Sequence, residues 1–186
     1  MTYVKPGYKR APMLITIFRW FMLLLIAIAI GLTGFFSSMR FADGPMGIVS
    51  GGAFSTGITR PAPSDWSFLE GREVVEFQTL APKTSRTVWL VVLNGQLYLV
   101  SGYMKTGFGK VWKQWPHYIE NDDRIILRID GKLYEQRLQR LMTEKVIASV
   151  MNKFSEKYNL SGPGPSPDGA AVVASGNAWL YQVRNR

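Results

Sequence analysis

The 186-residue sequence contains no cysteine and a single histidine, His117. Without cysteine the chain forms no disulfide bond and offers no thiolate to a metal, although this leaves its cellular compartment open. One histidine excludes a metal site built on several histidines of one chain. The pattern places no nucleophile beside His117, so we assign no catalytic residue and no metal ligand.

Acidic residues are missing from the first 40 positions, which carry five basic residues: Lys5, Lys9, Arg10, Arg19 and Arg40. This segment holds +5 of the net charge of +9, and the rest of the chain holds only +4. A nucleic-acid-binding domain concentrates positive charge on one face. So small an excess over most of the chain argues against nucleic acid as a partner.

A long uncharged run, Trp20–Phe36, dominates the N-terminal part. Its seventeen residues include no charge, no proline and no amide side chain. As a helix the run covers ~25 Å, and its extension back to Met13 exceeds the ~30 Å hydrocarbon core of a bilayer. We predict a transmembrane anchor over residues 13–38.

Two alternatives to the anchor are a buried helix of a soluble core and a cleaved signal peptide. A soluble helix rarely lacks a polar stripe over four turns. The segment Ser37–Arg40, which follows the run, offers no A-x-A-like cleavage site. An uncleaved anchor that contacts the lipid bilayer is therefore favoured.

The distribution of basic residues also predicts an orientation. Four of the five basic residues precede the run and one follows it. The positive-inside rule places the basic N-terminus, residues 1–12, in the cytoplasm and residues 41–186 on the outer side. In a bacterium this describes a single-pass protein of the inner membrane with a periplasmic C-terminal domain.

Residues 39–65 are rich in glycine, proline and serine and show neither helical nor alternating periodicity. We interpret them as an ordered loop or tether between the anchor and a domain over residues 66–186. Gly51-Gly52 is compatible with a backbone nest that cradles a phosphate. A plain linker is favoured over the nest, because no phosphate-loop pattern follows these glycines.

The remaining sequence alternates short β-like runs with turn signals. Thr87–Leu93 and Gln96–Ser101 flank Asn94-Gly95, which predicts a hairpin with a type I′ turn. Asp130-Gly131 separates a second pair of runs, Arg124–Ile129 and Lys132–Leu138. The predicted set also has a first strand over Val74–Thr79 and a terminal strand over Ala178–Val183. Its helices are a short one over Lys110–Trp115 and an amphipathic one over Val146–Tyr158. The pattern predicts a mainly β fold, a small antiparallel barrel with one or two helices.

The order of these features resembles a known family over residues 66–158. The matching features are the basic and hydroxyl segment Pro82–Arg86, the hairpin around Asn94-Gly95, Ser101-Gly102, the Lys110-x-Trp112 segment before Asn121-Asp122-Asp123, and Lys157-Tyr158. In order and spacing they resemble the split β-barrel of pyridoxamine-phosphate-oxidase-like and deazaflavin-dependent nitroreductase-like proteins.

The resemblance implies a site for FMN or a deazaflavin. Carried over by position, the resemblance implies that the phosphate meets a turn formed by Lys83, Thr84, Ser85 and Arg86. Lys105 or Lys110 would approach the phosphate from the other side, and Trp89 or Trp112 would border the ring. The alternatives are a solvated β-turn, surface lysines and core tryptophans. Guanidinium, ammonium and hydroxyl donors in one turn do match the charge and acceptors of a phosphate.

Two functions follow from the anchor and this resemblance. The first is a non-catalytic or accessory subunit of a membrane complex, for example a redox complex, because Arg86 follows Ser85 where the family turn reads arginine-x-serine-glycine. The alternative is a membrane-anchored flavin- or deazaflavin-dependent oxidoreductase, in which the cofactor itself supplies the hydride chemistry. Expected partners are the lipid bilayer, a membrane protein complex and a second copy of the chain.

Overall fold

The computed structural model describes residues 11–160 and 168–186, except for the side chains of residues 11, 12, 108, 110 and 111. The chain divides into two compact units, Met1–Ser38 and Met39–Arg186. In the first unit the described part is one helix, α1, over Ala11–Ser38. The stretch Met13–Phe41 is long and apolar enough to cross a membrane, a criterion that an N-terminal signal sequence also satisfies.

The second unit is built on seven strands and four helices within the described ranges. The strands are β1 (Ile58–Thr59), β2 (Val74–Leu80), β3 (Lys83–Leu93), β4 (Gln96–Ser101), β5 (Arg124–Ile129), β6 (Lys132–Leu141) and β7 (Trp179–Asn185). The helices are α2 (Gly107–Trp112), α3 (Trp115–Asn121), α4 (Val146–Lys157) and α5 (Gly169–Ala174). Short 3₁₀ turns occupy Met39–Phe41 and Ser67–Leu69.

Six of the strands close into an antiparallel barrel. In the order of pairing, β2 lies beside β3, β3 beside β4, β4 beside β7, β7 beside β6, β6 beside β5, and β5 again beside β2. Closure leaves few strand edges open to a foreign chain. The two residues of β1 add to β6 in parallel. The predicted small antiparallel barrel with helices is confirmed.

Both hairpin turns have the geometry expected from their sequence. Asn94 and Gly95 have φ of 50° and 72°, and Asp130 and Gly131 have φ of 50° and 71°. A type I′ turn requires positive φ at both central residues, which asparagine, aspartate and glycine adopt most readily. These four residues therefore set the register of β3 with β4 and of β5 with β6.

The apolar side chains form two layers, one inside the barrel and one outside. Leu90 and Val92 point into the interior cluster, together with Phe77. Val91, between them in sequence, points outward into a second cluster formed with α4 and α5. The continuous apolar run in β3 is thus buried on both faces, because the helices cover the outside of the barrel wall.

Two predicted elements differ from those observed. The predicted turn over residues 82–86 is wrong, because β3 already begins at Lys83 and pairs with Leu80 of β2 across Ala81-Pro82. The predicted helix Lys110–Trp115 is replaced by α2 and α3. Pro116 lies at the start of α3, where its missing N–H is not needed, rather than ending a helix.

Residues 39–56, which we call the strap, pack on the barrel. Gly51 and Ser85 form an antiparallel bridge, with N···O distances of 2.9 and 3.0 Å. The side chain of Ser85 is buried and its hydroxyl donates to the carbonyl of Gly52 at 2.6 Å. The segment read from sequence as a loop or tether thus belongs to the same compact unit as the barrel.

An arginine on β5 also holds the strap. Arg128 Nε donates to Glu76 at 2.7 Å and Nη1 donates to Asp43 at 2.9 Å. The guanidinium lies 4.2 Å from the ring centre of Phe54, a cation–π contact. Gly44, with φ of 95°, leaves room for this arginine, since a Cβ there would lie 1.9 Å from Arg128 Nη2.

Candidate functional site

The barrel unit contains a cavity of about 970 Å³ beside β3. Its walls come from the strap, from β3, from the segment around α2 and α3, and from α4 and α5. Ligand pockets are commonly 300–1,000 Å³ in volume, so the cavity is large enough for a cofactor-sized molecule.

An unpaired stretch of β3 forms one wall of this cavity. The pairing of β3 with β4 begins at Leu90, and its bridge with the strap lies at Ser85. Among the described pairings, none covers residues 86–89 on this side of β3. Arg86, Thr87, Val88 and Trp89 all line the cavity.

Arg86 brings a half-buried positive charge to the cavity wall. Its Nη2 donates to Thr84 Oγ1 at 3.1 Å, whereas its Nε is buried and has no hydrogen-bond partner within the described parts of the chain. Burial lowers the pKa of Arg86 from 12.5 to about 10, with nearby Tyr118 acting in the opposite direction. The guanidinium remains charged at neutral pH, so its N–H groups are strong hydrogen-bond donors to an anion.

Lys113 places a second cation in the same cavity. Its ammonium is half-buried, and its pKa is lowered first by burial and then by the positive charge of Arg86. Neither cation forms a salt bridge with a carboxylate within residues 11–160 or 168–186. The acid in the cavity wall is Glu156, which is exposed. Two like charges in one cavity, neither paired with a carboxylate, favour the binding of an anion near them.

Aromatic side chains supply the apolar part of the wall. Trp89 stacks on Tyr158 with ring centres 4.9 Å apart and planes 18° from parallel. Trp112 lines the cavity and is partly exposed. Trp115 is buried between Phe77 and Tyr181, whose ring centres lie 5.0 and 5.1 Å away. Flat rings of this kind favour a flat aromatic ligand.

The rigidity of this wall comes partly from the end of α4. The hydroxyl of Tyr158 contacts the carbonyls of Glu73 and Leu90, the latter at 2.8 Å. Lys157 Nζ also donates to the Leu90 carbonyl, at 3.2 Å. These bonds fix α4 against β3, and with it the position of Trp89.

Three of the residues predicted from sequence lie together in the cavity wall: Arg86, Trp89 and Trp112. Lys83 is exposed at the start of β3. Thr84 lies beside Thr79, with their hydroxyl oxygens 3.2 Å apart. Ser85 donates to the strap. Because successive side chains of a strand point to opposite faces, a strand at Lys83–Arg86 does not present four donors to one ligand.

The two lysines predicted on the opposite side have different outcomes. Lys105 is exposed, and its Cε lies 3.3 Å from the position that a Cβ on Gly176 would occupy. It is not among the residues that line the cavity. The side chain of Lys110 lies outside the described residues. Lys113 was missed, since sequence spacing alone does not select which of three nearby lysines faces inward.

The less favoured reading of Gly51-Gly52, a phosphate-binding nest, does not agree with the hydrogen bonds of these residues. The amide of Gly51 donates to Ser85 at 2.9 Å and the amide of Gly52 donates to Ala42 at 3.1 Å. Both N–H groups are therefore engaged within the protein and are not directed at an anion.

No family model matches the chain, and no curated protein matches it. Solved structures that are similar in fold include the following three. A conserved hypothetical protein from Mycobacterium tuberculosis is 15% identical with a TM-score of 0.43, and the match covers 64% of this chain and 77% of the other. A putative pyridoxamine 5′-phosphate oxidase from Listeria innocua is 12% identical with a TM-score of 0.40, covering 63% and 86%. An FAD-binding protein from Mesorhizobium loti is 11% identical with a TM-score of 0.39, covering 64% and 86%.

The chain is a six-stranded antiparallel barrel protein with a candidate membrane helix before the barrel. The solved structures similar to it include one described as a putative pyridoxamine 5′-phosphate oxidase and one described as FAD-binding. At these low identities and TM-scores we take nothing about function from them.

Proposed function

We propose that the barrel unit binds a flat aromatic ligand that carries an anionic group, of the flavin or deazaflavin class. The observation that carries this proposal is the pairing of Arg86 and Lys113 in one cavity without an acidic partner in the described chain. A protein that holds two cations in this way pays a desolvation penalty, which an anionic ligand offsets.

The residues present fit such a ligand. The guanidinium of Arg86 and the ammonium of Lys113 would meet a phosphate, which accepts several charge-assisted hydrogen bonds. Trp89 and Trp112 would border an aromatic ring. When bound, a flavin supplies hydride chemistry itself, so the protein needs to bind and orient it and to limit access of water.

The membrane anchor is the second part of the proposal. We place α1 across a bilayer with the basic N-terminus in the cytoplasm and the barrel on the outer side, in the bacterial inner membrane. The length and composition of Met13–Phe41 and the excess of basic residues before the run support this orientation.

An accessory, non-catalytic role is the second candidate. It is favoured by the engagement of Ser85 with the strap, which removes a hydroxyl from the predicted phosphate grip. Of the four residues of that grip, Arg86 alone lines the cavity. A barrel with a reduced grip would serve a membrane complex by docking or by holding a cofactor for a partner subunit.

Ligand binding is tested with the full chain purified in mild detergent. We expect the protein to carry flavin-like absorbance or to acquire it when titrated with FMN or a deazaflavin phosphate. Arg86→Met and Lys113→Gln are each expected to weaken binding about 10-fold or more, because a hydrogen bond to a charged group contributes ~1.5–3 kcal/mol.

Lys83→Gln is the matched control, since this lysine is exposed outside the cavity. It should leave the affinity unchanged within about twofold. Protein that stays colourless and binds neither ligand contradicts the proposal, as does equal weakening by Lys83→Gln. Co-purification of a stoichiometric membrane protein would support the accessory role, and an isolated monomer or homodimer would count against it.

A further inference from the structure

The mouth of the cavity is bordered by exposed apolar side chains. Six large apolar or aromatic residues both line the cavity and are substantially exposed: Ile48, Val74, Trp89, Tyr103, Trp112 and Leu160. We call this set the rim. Ile48 is 85% exposed and Tyr103 is 65% exposed. Soluble proteins seldom concentrate exposed apolar groups in one place unless the surface binds something.

The strap connects the rim to the candidate membrane span. The span extends to Phe41 and Ile48 lies seven residues later. Seven residues reach at most ~25 Å when fully extended. The strap is also held against the barrel by its hydrogen bonds with Ser85 and Arg128, so the strap residues that carry these bonds are not free to extend.

The chemistry of the rim suits the boundary between lipid and water. Tryptophan and tyrosine carry an apolar ring with a polar end and are enriched at both interfaces of membranes. The strap adds Phe41 and Met46, which are 90% and 53% exposed. Arg40 lies next to Phe41 in the sequence and provides a cation for acidic headgroups.

We propose that the rim docks on the surface of the bilayer, so that the cavity opens toward the lipid headgroups. This inference rests on the membrane anchor of the proposed function. It adds a second, reversible membrane contact made by the barrel unit. The partner is a lipid surface, recognised through apolar and interfacial aromatic side chains.

The absence of cysteine makes a direct test practical. Ile48→Cys and Leu160→Cys each place one label site on the rim of the full-length protein. Phe68→Cys and Met142→Cys are matched controls, because both residues are exposed and apolar but do not line the cavity. Each variant carries an environment-sensitive fluorophore and is reconstituted into phosphatidylcholine–phosphatidylglycerol vesicles that contain lipids with a spin-labelled quencher near the headgroup.

We expect the quencher lipids to reduce the fluorescence of the labels at positions 48 and 160 at least about twofold more than that of the labels at positions 68 and 142. Equal quenching at all four positions, or none at the rim, overturns the inference. So does loss of the protein from the vesicles on carbonate washing. Energy transfer between rim labels that rises with the protein-to-lipid ratio, without quenching by lipid, would assign the rim to a second copy of the chain instead.

The same labelled variants separate this inference from the cofactor proposal. Flavin titration in detergent measures ligand binding without a bilayer. Variants that bind the ligand but are not quenched overturn lipid docking alone. Variants that are quenched by lipid but bind no ligand overturn the cofactor proposal alone.

Discussion

Replacement of Arg86 by methionine is expected to raise the stability of the ligand-free protein. The pKa of Arg86 is lowered from 12.5 to about 10, mainly by burial. Each pKa unit corresponds to ~1.4 kcal/mol, so folding the charged guanidinium costs up to ~3 kcal/mol. Methionine has a similar length and carries no charge to desolvate.

Two effects reduce this gain. The hydrogen bond from Arg86 to Thr84 is lost, which costs ~1 kcal/mol. The side chain is also half-buried rather than fully buried, so solvent screens part of the penalty. We therefore expect a net increase of about 1–2 kcal/mol in the free energy of unfolding, which corresponds to a rise in Tm of ~2–8 °C for a domain of this size.

The pH dependence gives the prediction a second readout. The folded-state pKa of Arg86 lies below its unfolded value, so the penalty is fully present at neutral pH, where both states are charged. It decreases as the pH rises above about 10. The difference in stability between Arg86→Met and the unchanged protein should therefore shrink at high pH.

Thermal unfolding in detergent, followed by tryptophan fluorescence, measures this difference. Arg137→Met is the matched control, because Arg137 is exposed and forms a 3.3 Å ion pair with Asp123. Its change should stay within about 0.5 kcal/mol. A lower Tm for Arg86→Met, or equal effects of the two substitutions, would refute the view that Arg86 is held at a cost for ligand binding.

Three further predictions concern the strap. Gly51→Ala should loosen it and increase hydrogen exchange in residues 40–52, because a Cβ at Gly51 would lie 1.7 Å from the Gly44 carbonyl oxygen. Ser85→Ala should lower the free energy of unfolding by ~1–3 kcal/mol, because the buried Gly52 carbonyl loses the hydroxyl that donates to it. Hydrogen bonds to the ionised carboxylate, first from the Thr56 hydroxyl and then from the Ser55 amide, lower the pKa of Asp43. Their stabilisation is fully present above the unfolded-state pKa of about 4 and is lost as the carboxylate is protonated at lower pH, so the strap should stay docked above about pH 4 and loosen progressively below it.

Each of these has a control and a contrary outcome. Gly71→Ala meets no atom within 4 Å and should leave hydrogen exchange unchanged; faster exchange throughout the barrel in Gly51→Ala would argue against a local effect. For Ser85→Ala, a change below about 0.5 kcal/mol would show that the bond to Gly52 contributes little. Asp43→Asn should remove the acid dependence of strap exchange, and persistence of that dependence would assign it to another carboxyl group.

Sequence patterns predicted the barrel because its signals are local. Asn94-Gly95 and Asp130-Gly131 readily adopt positive φ, and the runs around them are rich in the β-branched and aromatic residues that favour strands. The amphipathic spacing from Val146 likewise predicted α4. The helix α5 was missed, since its six residues carry too few side chains to show a period.

The site was only partly predictable from the sequence, because its residues come from several elements. Arg86, Trp89 and Trp112 were assigned by their order along the chain, and the fold does bring them to one cavity. Lys113 and the strap residues of the cavity wall were not predicted. Which side chains face the cavity depends on contacts between segments that are far apart in the sequence, and the sequence pattern does not show these contacts.

The sequence by itself determined the apolar N-terminal span, the hairpins and the mainly β character, because these follow from hydropathy and from backbone preferences of neighbouring residues. Only the tertiary structure decided that residues 39–56 pack on β3 and that Arg86 and Lys113 share a cavity while neither forms a salt bridge to a carboxylate of the described chain. Such pairings arise between positions distant along the chain, so burial and the distances between charges become defined only when the barrel closes.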